Sequence, residues 1–265
     1  MRGSGLDGKD KGEQELGSSI KQGKVALVTG GGTGIGRATV LMLADAGVSV
    51  AVNYSRSVQD AERTVRDAKE LGVPAVAVHA DVSSDAEVLS MVDKVVAELG
   101  GLDLLINNAG ITRPVELTNL EGITDDDFAA IFAVNVRGLF YCCRAAIPQM
   151  LSAGHGHIVN VASIAGISGT GSSLMYSASK GAVITLTRGI AASHAPQIQV
   201  NAVAPGVVET RWTEQLDPAI VERIAGTIPM QRTARPDDVA QLIVGLLGND
   251  YVTGEVVTLA GGRAR

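Results

Sequence analysis

Two ionisable side chains, Tyr176 and Lys180, lie in the segment YSASK. Lys180 ends a run, from His157 to Ser179, that contains no Asp, Glu, Lys or Arg. On a helix, residues four apart lie one turn apart on the same face. An ammonium group beside a phenol would lower the pKa of the tyrosine from ~10 toward neutrality, so the pair predicts a proton donor or acceptor. An exposed helical lysine is the alternative if the pair stands alone.

A glycine-rich turn, TGGGTGIG, covers residues 29–36. A diphosphate needs close access to backbone N–H groups at the positive N-terminal end of a helix, and residues without Cβ allow it. Gly30, Gly34 and Gly36 have the spacing Gly-x3-Gly-x-Gly, which differs from the stricter dinucleotide fingerprint. Packing alone could explain these glycines. Their place in the first β-α unit favours dinucleotide binding.

The choice of cofactor depends on the segment VNYSRS after the second apolar run. An acidic residue there would bind the ribose 2′-hydroxyl of NAD and repel a 2′-phosphate. Asn53, Tyr54 and Ser55 carry no negative charge, whereas the planar guanidinium of Arg56 could pair with a phosphate. The segment therefore favours NADP over NAD, with a solvated loop arginine as the alternative.

Three further polar positions interrupt apolar surroundings. Ser163 ends the run HIVNVAS, and its hydroxyl could polarise a carbonyl oxygen. The turn NNAG, residues 107–110, has small side chains that allow a ring to approach the backbone. Asn135 lies within FAVNV, where an unpaired amide would be costly, so it needs a partner or a function.

These residues must be positioned by alternating strands and helices. Continuously apolar runs are typical of parallel strands that are covered on both faces. Seven such runs predict strands over residues 24–29, 48–53, 75–80, 103–107, 157–163, 198–204 and 255–260. Their alternation with helices predicts an α/β, doubly wound parallel sheet, whose ligand site lies beyond the carboxyl ends of the strands.

Several helix ends can be predicted from the sequence. Gly47 is expected to end the first helix, and Ser84 with Glu87 to form a capping box. Thr124 precedes three aspartates that would favour a helix N-terminus. The last two helices are expected over about 214–225 and 236–247.

Composition restricts the function classes. The 265 residues carry a net charge of −6, which provides no basic face for nucleic acid or anionic lipid. No stretch of ~18 apolar residues suggests a membrane span, and we expect a cytoplasmic location. Four scattered histidines predict no metal site, and the adjacent Cys142 and Cys143 are expected to be buried apolar residues.

The chain is expected to contain one domain. Residues 1–22 are rich in glycine and charge, which predicts a disordered tail or a vector-derived extension. No change of composition divides residues 23–265, so they are predicted to form a single NAD(P)-binding catalytic domain.

The chain resembles the compact, single-domain short-chain dehydrogenases/reductases. The resemblance covers nearly all of residues 24–262 and implies a Rossmann-like, seven-stranded sheet in the order 3-2-1-4-5-6-7 with helices on both faces. The motifs that carry it are TGGGTGIG, Asp81-Val82, NNAG, Asn135, Ser163, YSASK and Pro205-Gly206.

The resemblance implies a catalytic tetrad. Tyr176 would be the general acid for carbonyl reduction, and the base in the reverse direction. Lys180 would lower its pKa and bind the nicotinamide ribose, Ser163 would stabilise the substrate oxygen, and Asn135 would help hold a water of the proton relay. The candidate cofactor-binding residues are Gly30, Gly32, Thr33, Gly34, Ile35, Ser55, Arg56, Asp81, Val82, Asn108, Gly110, Tyr176, Lys180, Val208 and Thr210.

Substrate identity stays open at this point. The segments NNAGITR and TIPMQRTARPDDVA are similar to those of 3-oxoacyl-[acyl-carrier-protein] reductases. However, IPQMLSAGHGH and SHAPQIQ lack the basic residues that would dock an acidic carrier protein, and the loop 114–124 is a few residues longer. A small ketone, a sugar or an unloaded acyl compound is equally consistent. Residues 207–226 are expected to form a mobile lid, with Trp212 and Met175 near the pocket.

Two other expectations concern the protein as a whole. A non-catalytic, NADP-binding redox sensor of the same fold is the alternative function, although such a sensor would be signalled by loss of Tyr176 or Lys180. The resemblance also implies a homotetramer that packs through the helices holding Asn135 and Tyr176 and through the C-terminal strand.

Overall fold

The computed structural model of the protein describes residues 23–214 and 217–263. Its centre is a seven-stranded, fully parallel sheet in the order β3-β2-β1-β4-β5-β6-β7. The strands are β1 (Val25–Val28), β2 (Ser49–Tyr54), β3 (Ala75–His79), β4 (Leu104–Asn107), β5 (Gly156–Val161), β6 (Ile198–Pro205) and β7 (Val256–Leu259). The predicted fold class and strand order are confirmed. Residues 1–22, for which a tail was predicted, lie outside the described residues.

Helices cover both faces of this sheet. They are α1 (Gly34–Asp45), α2 (Val58–Glu70), α3 (Asp85–Leu99), α4 (Asp125–Phe132), α5 (Leu139–Ala153), α6 (Ala165–Ser168), α7 (Leu174–His194), α8 (Arg211–Glu214), α9 (Pro218–Gly226) and α10 (Pro236–Leu247). Helices α3, α5 and α7 pack in one buried apolar cluster, and α1, α2 and α10 pack in the other. Each strand therefore has apolar side chains on both sides, which explains the continuous apolar runs.

The predicted helix ends are mostly confirmed. Gly47 has a φ of +81° just after α1, and the Thr124 hydroxyl accepts a hydrogen bond from the Asp127 N–H at 3.1 Å. The capping box predicted for α3 is wrong. Ser84 is the N-cap residue but its side chain caps nothing, because the Glu87 carboxylate accepts from the Asp81 N–H at 2.9 Å instead. The helix expected over 214–225 is observed as α8 and α9.

A wide helical turn joins α4 to α5. Residues 133–138 form a π-helix, so 125–153 is one continuous helix with a local change of register. By length and composition alone this helix could cross a membrane. It packs against α3 and α7, however, and its side chains include the buried thiols of Cys142 and Cys143, as is typical of a core helix.

Candidate active site

The glycine turn after β1 allows close backbone approach. Gly30 and Gly34 have φ values of +61° and +51°, a region that favours glycine. A Cβ on Gly36 would lie 2.6 Å from Nδ2 of Asn108, and a Cβ on Gly32 would lie 3.0 Å from the backbone nitrogen of Ala61. The turn is thus packed between α2 and the loop after β4, with the N-terminus of α1 behind it.

Two buried polar side chains that the sequence analysis did not assign hold this turn. At the end of β2, Oδ1 of Asn53 accepts a hydrogen bond from the Gly30 N–H. The carbonyl oxygen of Asn53 accepts another from the Gly31 N–H. Thr29 accepts from the N–H groups of Asn108 and Ala109, each at 3.0 Å. Their signal was a polar residue at the end of an apolar strand, which is where a parallel sheet presents its ligand site.

The ends of β2 and β3 carry the candidate adenine and phosphate contacts. Arg56 and Ser55 are exposed, and the Ser55 carbonyl oxygen lies 3.1 Å from Nε2 of His79. Asp81 accepts hydrogen bonds from the N–H and hydroxyl of Ser83, while Val82 is buried. The adenine contact expected of Val82 is therefore restricted to its backbone or an edge of its side chain.

Asn135 in the π-helix has the partner that its burial requires. Its Oδ1 accepts from the Ile111 N–H at 2.8 Å, and its Nδ2 donates to the Ile111 carbonyl at 2.9 Å and to the Ser179 hydroxyl at 3.0 Å. The amide thus fixes the loop after β4 onto α7. Gly110 in that loop lies beside the catalytic candidates, since a Cβ there would be 3.6 Å from Nζ of Lys180.

Tyr176 and Lys180 lie on one face of α7, one turn apart. Ser173 caps this helix and accepts from the Tyr176 N–H at 3.2 Å. Nζ of Lys180 lies 5.7 Å from the centre of the tyrosine ring and donates to the Val161 carbonyl at the end of β5, at 2.7 Å. Ser163 follows two residues later, so the three side chains meet at the carboxyl edge of the sheet.

Burial shifts the pKa values of both groups on α7. It raises the pKa of Tyr176 above its usual value of 10, while the Ser163 hydroxyl acts in the opposite direction. It lowers the pKa of Lys180 to about 8. In the protein alone, therefore, the lysine does not bring the pKa of Tyr176 toward neutrality, because desolvation of the phenolate is the larger effect.

The segment after β6 covers this centre. Val208 pairs with Ala234 in an isolated bridge, and Thr210 is the neighbour that a Cβ on Gly34 would meet, at 3.2 Å. The ring of Trp212 lies edge-on to Tyr176, with ring centres 6.0 Å apart. Residues 208–212 of the segment predicted to form a lid, 207–226, therefore lie against the glycine turn and the tyrosine, and residues 215–216 lie outside the described part of the chain.

Known proteins share this fold and much of this sequence. Residues 24–220 match the family described as short chain dehydrogenase, which is most of the chain. The chain belongs to the short-chain dehydrogenase/reductase family. As a short-chain dehydrogenase/reductase it is an NAD(P)-dependent oxidoreductase, and the resemblance seen in its motifs is confirmed.

Relatives of this short-chain dehydrogenase/reductase differ in substrate and cofactor. The chain is 39% identical over 246 residues to a 3-oxoacyl-[acyl-carrier-protein] reductase, FabG, of Staphylococcus aureus, covering 92% of this chain and 99% of that protein. A gluconate 5-dehydrogenase of Burkholderia cenocepacia in complex with NADP and tartrate superposes with a TM-score of 0.86 at 32% identity, covering 94% and 98% of the two chains. NAD+-bound xylitol dehydrogenase superposes with a TM-score of 0.84 at 34% identity, covering 91% and 99%.

Proposed function

We propose that the protein interconverts a carbonyl compound and a secondary alcohol with NADP, and that Tyr176 exchanges the proton. The observation that carries the proposal is the cluster at the carboxyl end of β5. There the buried ammonium group of Lys180 lies beside the half-buried phenol of Tyr176, which contacts the hydroxyl of Ser163. Burying a lysine is unfavourable without compensation, so its place beside a phenol favours a chemical role.

The glycine turn supports a dinucleotide at this site. The left-handed conformations of Gly30 and Gly34 and the crowding at Gly36 let the turn fold tightly against the N-terminus of α1, where a helix favours a bound diphosphate. Gly32, Thr33 and Ile35 would hold the diphosphate, and Asn108, Gly110, Val208 and Thr210 would line the remainder of the cofactor. The bound nicotinamide supplies the hydride, and the protein orients it.

The proton has a defined path in this proposal. Since the pKa of Tyr176 is above 10, its hydroxyl is protonated at neutral pH and can donate to an alkoxide that forms on the substrate. Ser163 stabilises the developing negative charge on the substrate oxygen. Lys180 then stabilises the phenolate that remains, because its ammonium group lies one helical turn away. Asn135 positions the loop after β4, and its side-chain amide is already occupied by Ile111.

Replacing the phenol tests this proposal. We expect Tyr176→Phe to reduce turnover by about 10²–10⁴-fold while binding of NADPH changes little, because only the proton donor is lost. Tyr141→Phe is the matched control, since that ring lies on α5 beside Arg144, outside the cluster. Turnover by Tyr176→Phe equal to that of the control would remove Tyr176 from the mechanism. It would favour the redox sensor if no carbonyl compound were reduced by either protein.

The preference for NADP rests on Arg56. Two other arginines near the turn are already paired, Arg37 with Asp67 and Arg63 with Asp60. Arg56 has no carboxylate partner within the residues that the structure describes, which leaves its guanidinium available for a phosphate. A relative that binds NADP and another that binds NAD+ share the fold, so the residues at this strand end must decide.

The Arg56 assignment predicts a difference between cofactors. Arg56→Ala should raise Kd for NADPH by about tenfold and leave Kd for NADH nearly unchanged. Arg66→Ala removes another exposed arginine, from the middle of α2, and should change neither value. Equal weakening of both cofactors by Arg56→Ala would contradict a role in reading the 2′-phosphate.

For the substrate we propose a 3-oxoacyl thioester that is not attached to a carrier protein. The relative in Staphylococcus aureus supports the reaction type. The absence of Lys and Arg from residues 147–157 argues against an acidic carrier protein. A small polyol or sugar acid is the second candidate, because structural relatives act on xylitol and gluconate. Oxidation or formation of NADPH with a panel of oxoacyl thioesters, ketones and polyols distinguishes these classes.

We also propose that the protein assembles as a homotetramer in the cytoplasm. The face formed by α4, the π-helix, the first turn of α5 and α7 exposes large apolar side chains, with Phe128 and Phe140 each more than 40% exposed. Phe132, Phe140 and Leu186 line a groove on this face that a second copy of the same face would cover. Light scattering of Phe140→Asp should show a smaller assembly than the wild type, whereas an unchanged mass would contradict this interface.

A further inference from the structure

Two consecutive residues of α8 contact opposite sides of the proposed site. Nη2 of Arg211 lies 2.7 Å from Oδ2 of Asp60, in the first turn of α2. The rings of Trp212 and Tyr176 pack at an interplanar angle of 73°. Asp60 is itself adjacent to the glycine turn, since a Cβ on Gly32 would lie 3.3 Å from its carbonyl carbon. The short helix thus connects the cofactor turn with the proton donor.

The base of this segment is fixed separately from its tip. Glu209 donates its N–H to the Ala234 carbonyl at 2.9 Å and accepts from the Thr233 hydroxyl at 2.7 Å. Thr210 and Thr213 bond to each other within the turn. The position of the Trp212 ring therefore depends on what anchors α8 itself, and the Arg211–Asp60 pair is an ionic contact from this helix to α2.

We propose that Trp212 determines substrate specificity by narrowing the access to Tyr176, and that the Arg211–Asp60 pair positions it. The proposal rests on the proposed function of Tyr176. An indole at this point restricts what can extend beyond the reacting carbonyl, which selects compact substrates and short acyl thioesters over long ones. The Arg211 side chain is 53% exposed, so the pair is weak and allows the segment to open.

The same carboxylate provides a matched control. Asp60 also pairs with Arg63, at 2.7 Å, but Arg63 lies on α2 and does not reach α8. Arg211→Gln and Asp60→Asn should release Trp212, whereas Arg63→Gln removes a partner of Asp60 and leaves the contact to α8 intact. A measurement in which Arg211→Gln and Asp60→Asn differ from Arg63→Gln therefore reports the contact between α2 and α8.

Fluorescence reports the position of Trp212 directly, because it is the only tryptophan in the chain. Since Trp212 is 47% exposed in the structure, excitation at 295 nm and quenching by acrylamide should show up to about twofold greater accessibility in Arg211→Gln and Asp60→Asn than in the wild type and Arg63→Gln. Equal quenching in all four proteins, or an equal increase in Arg63→Gln, would overturn the positioning role of the pair. Circular dichroism confirms that each variant is folded.

Steady-state kinetics test the specificity role. Trp212→Ala should raise kcat/KM for a long 3-oxoacyl thioester relative to a short one by about tenfold, mainly through KM. An unchanged ratio would overturn the role of Trp212 in specificity. If the wild type reduced no carbonyl compound while the fluorescence differences held, the proposed function would fail and the positioning role of the pair would stand. If the wild type reduced carbonyl compounds but the four proteins showed no fluorescence differences, the positioning role of the Arg211–Asp60 pair would be overturned and the proposed function would stand.

Discussion

A buried titratable side chain lies at each end of β5, Lys180 of α7 at the carboxyl end and His157 of the strand itself at the amino end, and the two have different surroundings. At the carboxyl end, Lys180 donates a hydrogen bond to Val161 and lies beside Gly110 and Tyr176. At the amino end, His157 has a buried Nδ1 without a partner among the described residues, and its Nε2 lies 3.3 Å from the exposed Asp250. The first group has a satisfied contact directed into the candidate site, whereas the second is only partly satisfied.

Burial lowers the pKa at both ends, but with opposite consequences at neutral pH. The pKa of Lys180 falls to about 8, so the group still carries its charge at pH 7. The pKa of His157 falls to about 4, mainly by desolvation with a contribution from Lys24, so the imidazole is neutral. A depressed pKa alone therefore does not indicate a catalytic group, and the charge state at working pH and the neighbours must decide.

The largest difference between the two ends of β5 should appear in turnover when Lys180 and His157 are each replaced. Lys180→Met should lower turnover by about 10²–10⁴-fold, because the charge that stabilises the phenolate is lost. His157→Gln, at the other end of the same strand, should leave turnover within about twofold of the wild type. Comparable losses in both variants would mean that the strand as a whole, rather than the ammonium group, supports the reaction.

The pH dependence of reduction should report the charge of Lys180. The charged form is present below its pKa of about 8 and is lost as the pH rises through it, so kcat/KM should fall by about tenfold per pH unit above that value. Lys94→Gln removes an exposed lysine of α3 and should follow the wild-type profile. A profile that is flat to pH 10 would contradict this assignment.

Acid should destabilise the protein through His157. Between the folded pKa of about 4 and the unfolded value near 6.5, the unfolded chain binds more protons, so stability falls as the pH falls through this interval. The loss attributable to this group is about 3 kcal/mol when the interval has been crossed. Urea unfolding at pH 7 and pH 4 should show a smaller decrease for His157→Gln than for the wild type, and equal decreases would contradict it.

A smaller effect is expected in the middle of the same strand. Asn160 of β5 accepts from Asn107 and donates to the Thr187 hydroxyl at 2.9 Å, entirely within the core. Thr187→Val keeps the shape but leaves the Asn160 donor unpaired, which should cost about 1–2 kcal/mol of unfolding free energy. Thr185→Val, at an exposed position on α7, is the control. Equal unfolding free energies of the two variants would show that the buried hydrogen bonds from Asn107 through Asn160 to Thr187 contribute little to stability.

Much of this comparison was visible in the sequence. Seven continuously apolar runs gave strand positions within two residues, because burial on both faces leaves little choice of side chain. Lys180 was found because a charge in an uncharged region is costly and conspicuous. Tyr176 and Ser163 followed from their spacing and their position at strand ends, where parallel topology brings separate loops together.

The remainder depended on contacts between distant segments. Asn53 and Thr29 hold the glycine turn through contacts between segments that lie far apart in sequence, so the sequence showed a polar residue at the end of an apolar strand but not its partner. Burial outweighs local charge in setting the pKa of Tyr176, and burial is a property of the packed protein. The capping box failed because Glu87 had a competing donor at Asp81, which only the fold brings within reach.

The π-helix has a consequence for anyone who redesigns this protein. It contains Asn135 and joins α4, which carries Phe128, to α5, which carries Phe140, and each residue of a regular helix turns the side-chain direction by about 100°. Deleting one residue from it to restore regular geometry would rotate α4 relative to α5, so that either the Asn135 amide or Phe128 would change direction. An apparently conservative shortening would thus disconnect the chemical centre from the surface where copies are proposed to meet.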